Sequence, residues 1–272
     1  MLPDNDKEKM MSRNLILEKD RHIARVTISN PPANTWTYDS LLELEGLIDD
    51  LEADTSITAL VITGEGEKFF SAGADLKTFA DGDKGMAATM AVRFGHAFER
   101  LANYRGVSIA AVNGYAMGGG LECALACDIR IVERQAKLAL PEARVGVLPC
   151  GCGTQHLTRL VGEGWAKRMI LCGEQVDAET AERIGLTEEV VETGMALERA
   201  LALAEGVARQ SPKALEHCKT LIMSSRERGL SDGFRLEREL FIDLFDDPNQ
   251  REGVTAFLEK REPRWTPVKR ER

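Results

Sequence analysis

The stretch that decides the fold reads AVNGYAMGGGLE at residues 111–122. A strand-like run ends here, and three consecutive glycines come directly before a short helical stretch. Glycines at a helix N-terminus leave unpaired N–H groups that point outward, and the helix dipole favours negative charge there. The segment lacks the G-x-G-x-x-G order and the terminal Lys-Ser/Thr of nucleotide loops, so it indicates oxyanion chemistry instead. Taken alone, Glu122 is more simply explained as a solvated acid near a helix start.

A second segment, LPEARVGVLPCGCGTQ at 140–155, sets a carboxylate at the end of an apolar strand and before another Gly-rich helix entrance. Burial of Glu142 in such surroundings would raise its pKa toward a catalytically useful value. An ion pair with Arg144 explains the same pattern. The residues alone leave both interpretations open.

A third segment, KFFSAGADLK at 68–77, is a small-residue turn with a lysine on each side. Small residues let a ligand approach backbone N–H groups, although the same run also occurs in ordinary tight turns.

The rest of the chain alternates strand and helix patterns, which is typical of α/β architecture. Strands are predicted within 14–30, 58–64, 108–114, 129–133, 137–142 and 188–192, and helices at 38–51, 85–104 and from 154 onward. We therefore divide the chain into a flexible tail (1–13), an α/β core (14–194) and a helical C-terminal segment (195–272). Neither an internal repeat nor a long polar linker separates further domains.

Composition excludes several classes of function. The 272 residues carry a net charge of −9 and 6% aromatic residues, which disfavours binding to nucleic acid or anionic membranes. No apolar run approaches the ~18 residues of a membrane span. Without a secretory signal, the six cysteines are expected to be reduced thiols of a cytoplasmic protein, and their spacing does not complete a metal site.

Taken together and in this order, KFFSAGADLK, AVNGYAMGGGLECALACD and LPEARVGVLPCGCGTQHLTRLVG resemble the crotonase superfamily and, within it, the enoyl-CoA hydratases. The likeness covers nearly the whole chain. It implies a crotonase-like ββα spiral core with a C-terminal helical trimerisation segment, and hence a homotrimer or hexamer.

The resemblance also implies roles for residues. The amides of Ala74 and Gly119 match the family's oxyanion hole for the thioester carbonyl. Glu122 matches the group that holds and deprotonates the water attacking C3, and Glu142 the group that also holds that water and delivers a proton to C2. No tightly bound cofactor is implied, since coenzyme A arrives as part of the acyl-CoA substrate. The positions that match CoA contacts are Lys68, Ala72, Lys77, Phe257 and Lys260, and each lysine is equally explained as a solvated surface charge.

Two departures from the family pattern stand out. The segment at Pro32 is one residue shorter and lacks a lysine found near the ADP part of CoA in many relatives. Cys150 replaces a glycine whose amide helps hold the catalytic water; the amide remains, and the added thiol is expected to have a lowered pKa and to be the most readily alkylated cysteine. The acyl pocket wall is expected from residues 78–98, which include Met86, Met90, Val92 and Phe94.

Two other functions compete with hydration. An enoyl-CoA isomerase, or another crotonase-type acyl-CoA enzyme, keeps the fold and acts on the substrate without adding water. The presence of both glutamates favours hydration without deciding it. An RNA-binding or purely structural role is disfavoured by the acidic composition, because the one basic run lies at 269–272.

Overall fold

In a computed structural model, residues 7–11 and 14–268 are described, the first range by its backbone alone. The strands are β1 (Lys7–Met11), β2 (Leu15–Asp20), β3 (Ile23–Ile28), β4 (Ala59–Gly64), β5 (Phe69–Ser71), β6 (Val107–Val112), β7 (Tyr115–Met117), β8 (Ile129–Glu133), β9 (Lys137–Ala139), β10 (Val176–Asp177) and β11 (Glu189–Val191). The helices are α1 (Tyr38–Ala53), α2 (Lys84–Ala102), α3 (Gly119–Ala126), α4 (Gly153–Leu171), α5 (Ala178–Arg183), α6 (Ala196–Ala208), α7 (Pro212–Ser224), α8 (Leu230–Asp243) and α9 (Pro248–Glu259). Short 3₁₀ turns lie at Leu76–Phe79, Glu142–Val145 and Leu244–Asp246.

The larger sheet has seven strands in the order β1-β2-β3-β4-β6-β8-β11. Its first three strands pair antiparallel, and from β3 onward all pairs are parallel. Every residue of β4 is buried, as expected for a parallel strand covered on both faces. One face packs against α1, α2 and α3, and the other against α6.

A smaller sheet, in the order β10-β9-β7-β5, positions the functional segments. Strands β5, β7 and β9 are parallel to one another, so their carboxyl ends lie at one edge. The chain leaves that edge into the turn at 72–74, the start of α3 and the 3₁₀ turn that begins at Glu142. The three segments singled out in the sequence therefore meet at a single place.

Two parts of the predicted organisation differ in detail. The range predicted as a flexible tail contains β1, because β2 would otherwise present an unpaired edge and β1 supplies its antiparallel partner. In the range predicted as a C-terminal appendage, α6 covers the large sheet: its buried Ala196, Ala200 and Ala204 pack against β4, β6 and β8. The contacts place the boundary of the appendage after α6.

Helices α7 to α9 form the remainder of the C-terminal segment. Lys219 of α7 joins them to the core, since its ammonium donates to the Asp128 carboxylate (2.7 Å) and to the Gly106 carbonyl (2.9 Å). Large apolar side chains remain exposed on these helices and on the 3₁₀ turn between α8 and α9, namely Ile222, Leu230, Phe234, Phe241, Ile242, Phe245, Val254, Phe257 and Leu258. No helix within the described ranges is long and apolar enough to cross a membrane.

Candidate active site

A cavity of about 930 Å³ opens at the edge where the three segments meet. Its lining includes all four residues predicted for the chemical step, Ala74, Gly119, Glu122 and Glu142, together with Ala72 and Cys150. The structure thus brings together groups as far apart in the chain as Ala72 and Cys150, which are 78 positions apart, because parallel strands end side by side.

The Ala74 amide is directed into the cavity by a short parallel bridge. Trp36 donates its amide hydrogen to the Gly73 carbonyl (2.8 Å) and accepts from the Asp75 amide (3.0 Å). A bridge of this kind leaves the intervening Ala74 with its own N–H on the side away from Trp36, which is the cavity side. The result is a backbone donor with no acceptor among the described residues.

The Gly119 amide lies beside this donor. Gly119 is the first residue of α3, where helix N–H groups have no intrahelical acceptor. Gly73, at φ +90°, packs so closely that a Cβ there would stand 3.1 Å from the Gly119 nitrogen. Two amides from different segments therefore converge at the N-terminus of a helix, the arrangement that stabilises an oxyanion.

Glu122 lies one turn into α3 and is 2% exposed, so it is not the solvated acid that its position alone suggested. The amides of Gly151 (2.8 Å) and Gly153 (2.9 Å) both donate to its Oε1. A Cβ at either glycine would fall within about 3 Å of the Glu122 side chain, so both positions require glycine for this approach. One carboxylate oxygen of Glu122 is therefore held by two backbone hydrogen bonds.

Glu142 begins the 3₁₀ turn after β9 and is held much less. Its Oε1 lies over the entrance of α3, 3.0 Å from where a Cβ of Gly118 would be, and its buried Oε2 has no hydrogen-bond partner among the residues that the structure describes. The alternative of an ion pair with Arg144 is not realised in the described part of the chain. Arg144 donates instead to the Gly173 carbonyl (2.5 Å).

Both carboxyl groups have the pKa expected of acid/base catalysts near neutrality. Burial raises the pKa of Glu122 to about 7, with the charge of Glu142 adding to the rise and the amides of Gly153 and Gly151 opposing it. Burial also raises the pKa of Glu142 to about 7, against a small lowering by its own amide. Each group can therefore lose and regain a proton at neutral pH.

Cys150 lines the cavity, but its thiol differs from the sequence prediction. Burial, followed by the charges of Glu122 and Glu142, raises the pKa of Cys150 to about 11. The expected lowering by a helix entrance is outweighed, because α4 begins three residues later and two carboxylates are near. The prediction of a lowered pKa for Cys150 is therefore wrong, whereas its reactivity toward alkylation stays a prediction to be measured. All six cysteines are free.

The predicted CoA contacts are spread more widely. Ala72 lines the cavity. Lys68 and Lys77, which lie on either side of Ala72 in the sequence, are exposed. The Lys68 ammonium lies 5.2 Å from the centre of the Phe69 ring. Lys260 ends α9, and Phe257 is 83% exposed. Within one chain, neither of these two lines the cavity.

The predicted pocket wall is correct as a region but not for most of its residues. From α2 the cavity is lined by Ala87, Ala91 and Phe94, which share one helix face. Met90 belongs to the buried core, and Met86 and Val92 are exposed on other faces. The sequence prediction favoured large side chains, whereas the helical period places the two alanines on the face of α2 that lines the cavity.

Sequence reasoning missed the residues that shape Glu122. Gly151 and Gly153 were seen only as part of a Gly-rich entrance, and Phe98, which packs beneath Gly151, was not singled out. The Gly-x-Gly spacing was the available signal. Within the described residues, no cluster of three or more His, Cys, Asp or Glu side chains could hold a metal ion.

A model of the enoyl-CoA hydratase/isomerase family matches residues 18–268 of the chain. The chain belongs to this family. Among curated relatives, it is 40% identical over 252 residues to the 2,3-dehydroadipyl-CoA hydratase of Escherichia coli K12, with 92% of this chain and 97% of the relative covered. It is 37% identical over 253 residues to the short-chain-enoyl-CoA hydratase of Clostridium acetobutylicum, with 93% and 97% covered.

Solved structures agree with this family assignment. DspI of Pseudomonas aeruginosa is 62% identical, has a TM-score of 0.92, and is matched over 97% of this chain and 100% of its own. An enoyl-CoA hydratase from Bacillus anthracis is 32% identical with a TM-score of 0.90, over 93% and 99%. The predicted crotonase-like α/β fold with C-terminal helices is confirmed, and the chain is an enzyme of this family.

Proposed function

We propose that the enzyme adds water across the 2,3 double bond of a 2-enoyl-CoA to give a 3-hydroxyacyl-CoA. One observation carries the proposal. Two carboxyl groups, each with a pKa near 7, line the same cavity as two converging backbone amides. Hydration needs this set, since it requires a base for water, an acid for carbon and a site for developing negative charge.

The proposed reaction assigns one role to each group. Glu122 accepts a proton from water as the water oxygen bonds to C3. The electron pair of the double bond moves toward the thioester, and the resulting enolate oxygen is stabilised by the amides of Ala74 and Gly119. Glu142 delivers its proton to C2, and proton exchange with solvent then restores both carboxyl groups.

The position of each glutamate supports this division of roles. Because Gly151 and Gly153 hold Oε1 of Glu122, its Oε2 has a fixed direction from which to orient water. The unpaired Oε2 of Glu142 is buried and requires a partner, which a water or a proton on the carboxyl group supplies. The Cys150 amide is proposed as a further donor to the water.

We propose Lys68, Ala72 and Lys77 as contacts to CoA in the same subunit, with Phe257 and Lys260 supplied by a neighbouring subunit. A homotrimer, or a hexamer of two trimers, would bring a second α9 to the cavity. The exposed apolar side chains of α7 to α9 support such an assembly, because a surface of this kind is usually buried. Six free cysteines fit a reducing cytoplasm.

The test is a spectrophotometric assay of two substrates. Hydration removes the 2-enoyl thioester absorbance, whereas isomerisation of a 3-enoyl-CoA creates it. We expect loss of absorbance with a 2-enoyl-CoA and no gain with a 3-enoyl-CoA. The opposite pattern would replace hydration by isomerisation, the second reaction in the family's description.

A further inference from the structure

The wall of the cavity away from the carboxyl groups is apolar and is built by two elements. Helix α2 contributes Ala87, Ala91 and Phe94, and the segment after Glu142 contributes Val145, Val147 and Leu148. These last three side chains remain 46–67% exposed, although they line a cavity. Apolar surface left open beside a reactive centre is suited to an apolar part of the substrate.

Phe94 marks the reactive end of this wall. A Cβ on Gly119 would stand 2.7 Å from the Phe94 ring, so the ring lies against the start of α3. Ala91 and Ala87 follow at one and two turns toward the N-terminus of α2, which places Ala87 ~10 Å from Phe94 along the helix. Both have only a methyl side chain, and both are exposed on this face.

We propose that the Ala87–Ala91 face of α2 forms a groove for an apolar acyl chain. The inference rests on the proposed function, which puts the thioester carbonyl at Ala74 and Gly119. From there the chain runs past Phe94 and Ala91 toward Ala87. An extended chain advances ~1.2 Å per bond, so the groove accommodates ~8 carbons beyond the reactive end. The substrates are therefore medium-length 2-enoyl-CoA thioesters.

The charges around the cavity favour an apolar chain over one that ends in a carboxylate. Apart from Glu122 and Glu142, Arg144 is the charged residue of the described lining, and its guanidinium is engaged by the Gly173 carbonyl. Gly173, at φ +61°, packs against that guanidinium, since a Cβ there would stand 2.6 Å from Nε. A terminal carboxylate in the groove would find methyl and isopropyl groups instead of a free cation.

The experiment measures kcat/KM on straight-chain 2-enoyl-CoA thioesters from four to sixteen carbons, with 2,3-dehydroadipyl-CoA as a charged arm. The variants are Ala91→Phe, Ala87→Phe and the control Ala88→Phe, which adds the same ring to an exposed neighbour outside the cavity lining. Thermal unfolding of each variant checks that it is folded.

We expect the effects of Ala91→Phe and Ala87→Phe to grow with chain length and to be smallest on four-carbon substrates. Ala91→Phe should lower kcat/KM for medium and long chains by ~10- to 200-fold, because the ring takes the place of several methylenes. Ala87→Phe should affect the longer chains alone, and Ala88→Phe none. Losses independent of chain length, equal losses in Ala88→Phe, or a preference for the dehydroadipyl substrate over the uncharged six-carbon substrate would overturn the proposal.

Failure of the proposed function gives a different result. If the wild type hydrates no 2-enoyl-CoA of any length, isothermal titration with saturated acyl-CoAs still tests the groove. Affinity that rises with chain length in the wild type and in Ala88→Phe, and levels off early in Ala91→Phe, supports the groove without hydration. Affinity independent of chain length in the wild type removes it.

Discussion

Burial raises the pKa of both Glu122 and Glu142 to about 7, but the two side chains are held differently. Glu122 is almost fully buried at the start of α3 and accepts two backbone hydrogen bonds on one oxygen. Glu142, on a 3₁₀ turn, is partly exposed and keeps one buried oxygen unpaired. The two hydrogen bonds on Glu122 indicate that its fixed position matters most. The unpaired oxygen of Glu142 indicates that exchange of a proton matters most there.

The largest expected effect comes from removing each titrating group while keeping its shape. Glu122→Gln and Glu142→Gln should each lower kcat for hydration by roughly 10²- to 10⁴-fold, the usual contribution of a positioned acid or base, with little change in KM. Because both groups act on one water, the double variant should be far less than multiplicatively worse. Initial rates of absorbance loss measure the activity of the two single variants and the double variant. Fully multiplicative losses would mean that the two glutamates act independently of each other.

A change at Gly153 tests whether the fixed position of Glu122 matters. In Gly153→Ala the new Cβ would stand 2.7 Å from Oε1 of Glu122, so the carboxylate must move. We expect kcat to fall by up to ~10²-fold, the effect of a displacement of about 1 Å at a reacting group. Gly164→Ala on the same helix meets nothing within 4 Å and should retain full activity. Equal rates in the two variants would show that Glu122 needs no such support.

The pH dependence of stability gives a third test. The pKa of Glu122 is raised from 4.5 to about 7 on folding, so between these values the folded chain holds a proton that the unfolded chain has released. The contribution of this proton to the free energy of unfolding is fully present below pH 4.5 and is lost as the pH rises through 7. The free energy of unfolding of Glu122→Gln minus that of the wild type should therefore be roughly 1–3 kcal/mol larger at pH 8 than at pH 4.5.

Urea unfolding of both proteins at the two pH values measures this gain. Comparing variant with wild type cancels the opposite contribution of carboxylates whose pKa is lowered, such as Asp54. A stability difference between the two proteins that does not change with pH would mean that Glu122 has an ordinary pKa in the folded chain.

The smallest effect is expected at Cys150. Its pKa of about 11 leaves almost no thiolate at neutral pH, so alkylation should be slower there than at the exposed Cys172 and Cys218. Mass spectrometry after brief iodoacetamide treatment measures the order of labelling. Cys150→Gly should change kcat little because the backbone amide is kept. Preferential labelling of Cys150 would restore the prediction made from the sequence.

The sequence predicts the long elements well. Helix α1 and strand β3 have clear periodicity, whereas β4 and β6 are nearly continuous buried runs, and each was expected close to its observed bounds. Strands β5, β7 and β10 have two or three residues, too few to show a period, so the smaller sheet was not predicted. That sheet brings the functional segments together, and its order depends on pairing between distant parts of the chain.

The candidate site shows the same limit, because features that depend on distant parts of the chain were not predicted. The two glutamates and the two amide donors that line the cavity were identified from motifs and family resemblance, but their environments were not. Burial of Glu122 depends on Gly151 and Gly153, which lie 29 and 31 positions away. The pKa of Cys150 depends on two carboxylates brought near by folding. A local pattern shows which groups are present, whereas long-range packing sets their charge state.

The most direct test of the central claim is to follow the oxygen of water. The enzyme is incubated with a 2-enoyl-CoA in oxygen-18 water at neutral pH, and the product is analysed by mass spectrometry with fragmentation. The two-glutamate account predicts a 3-hydroxyacyl-CoA with the heavy oxygen at C3, formed by the wild type and slowed at least ~10²-fold in Glu142→Gln. A product without heavy oxygen at C3, or near-normal labelling by Glu142→Gln, would contradict it.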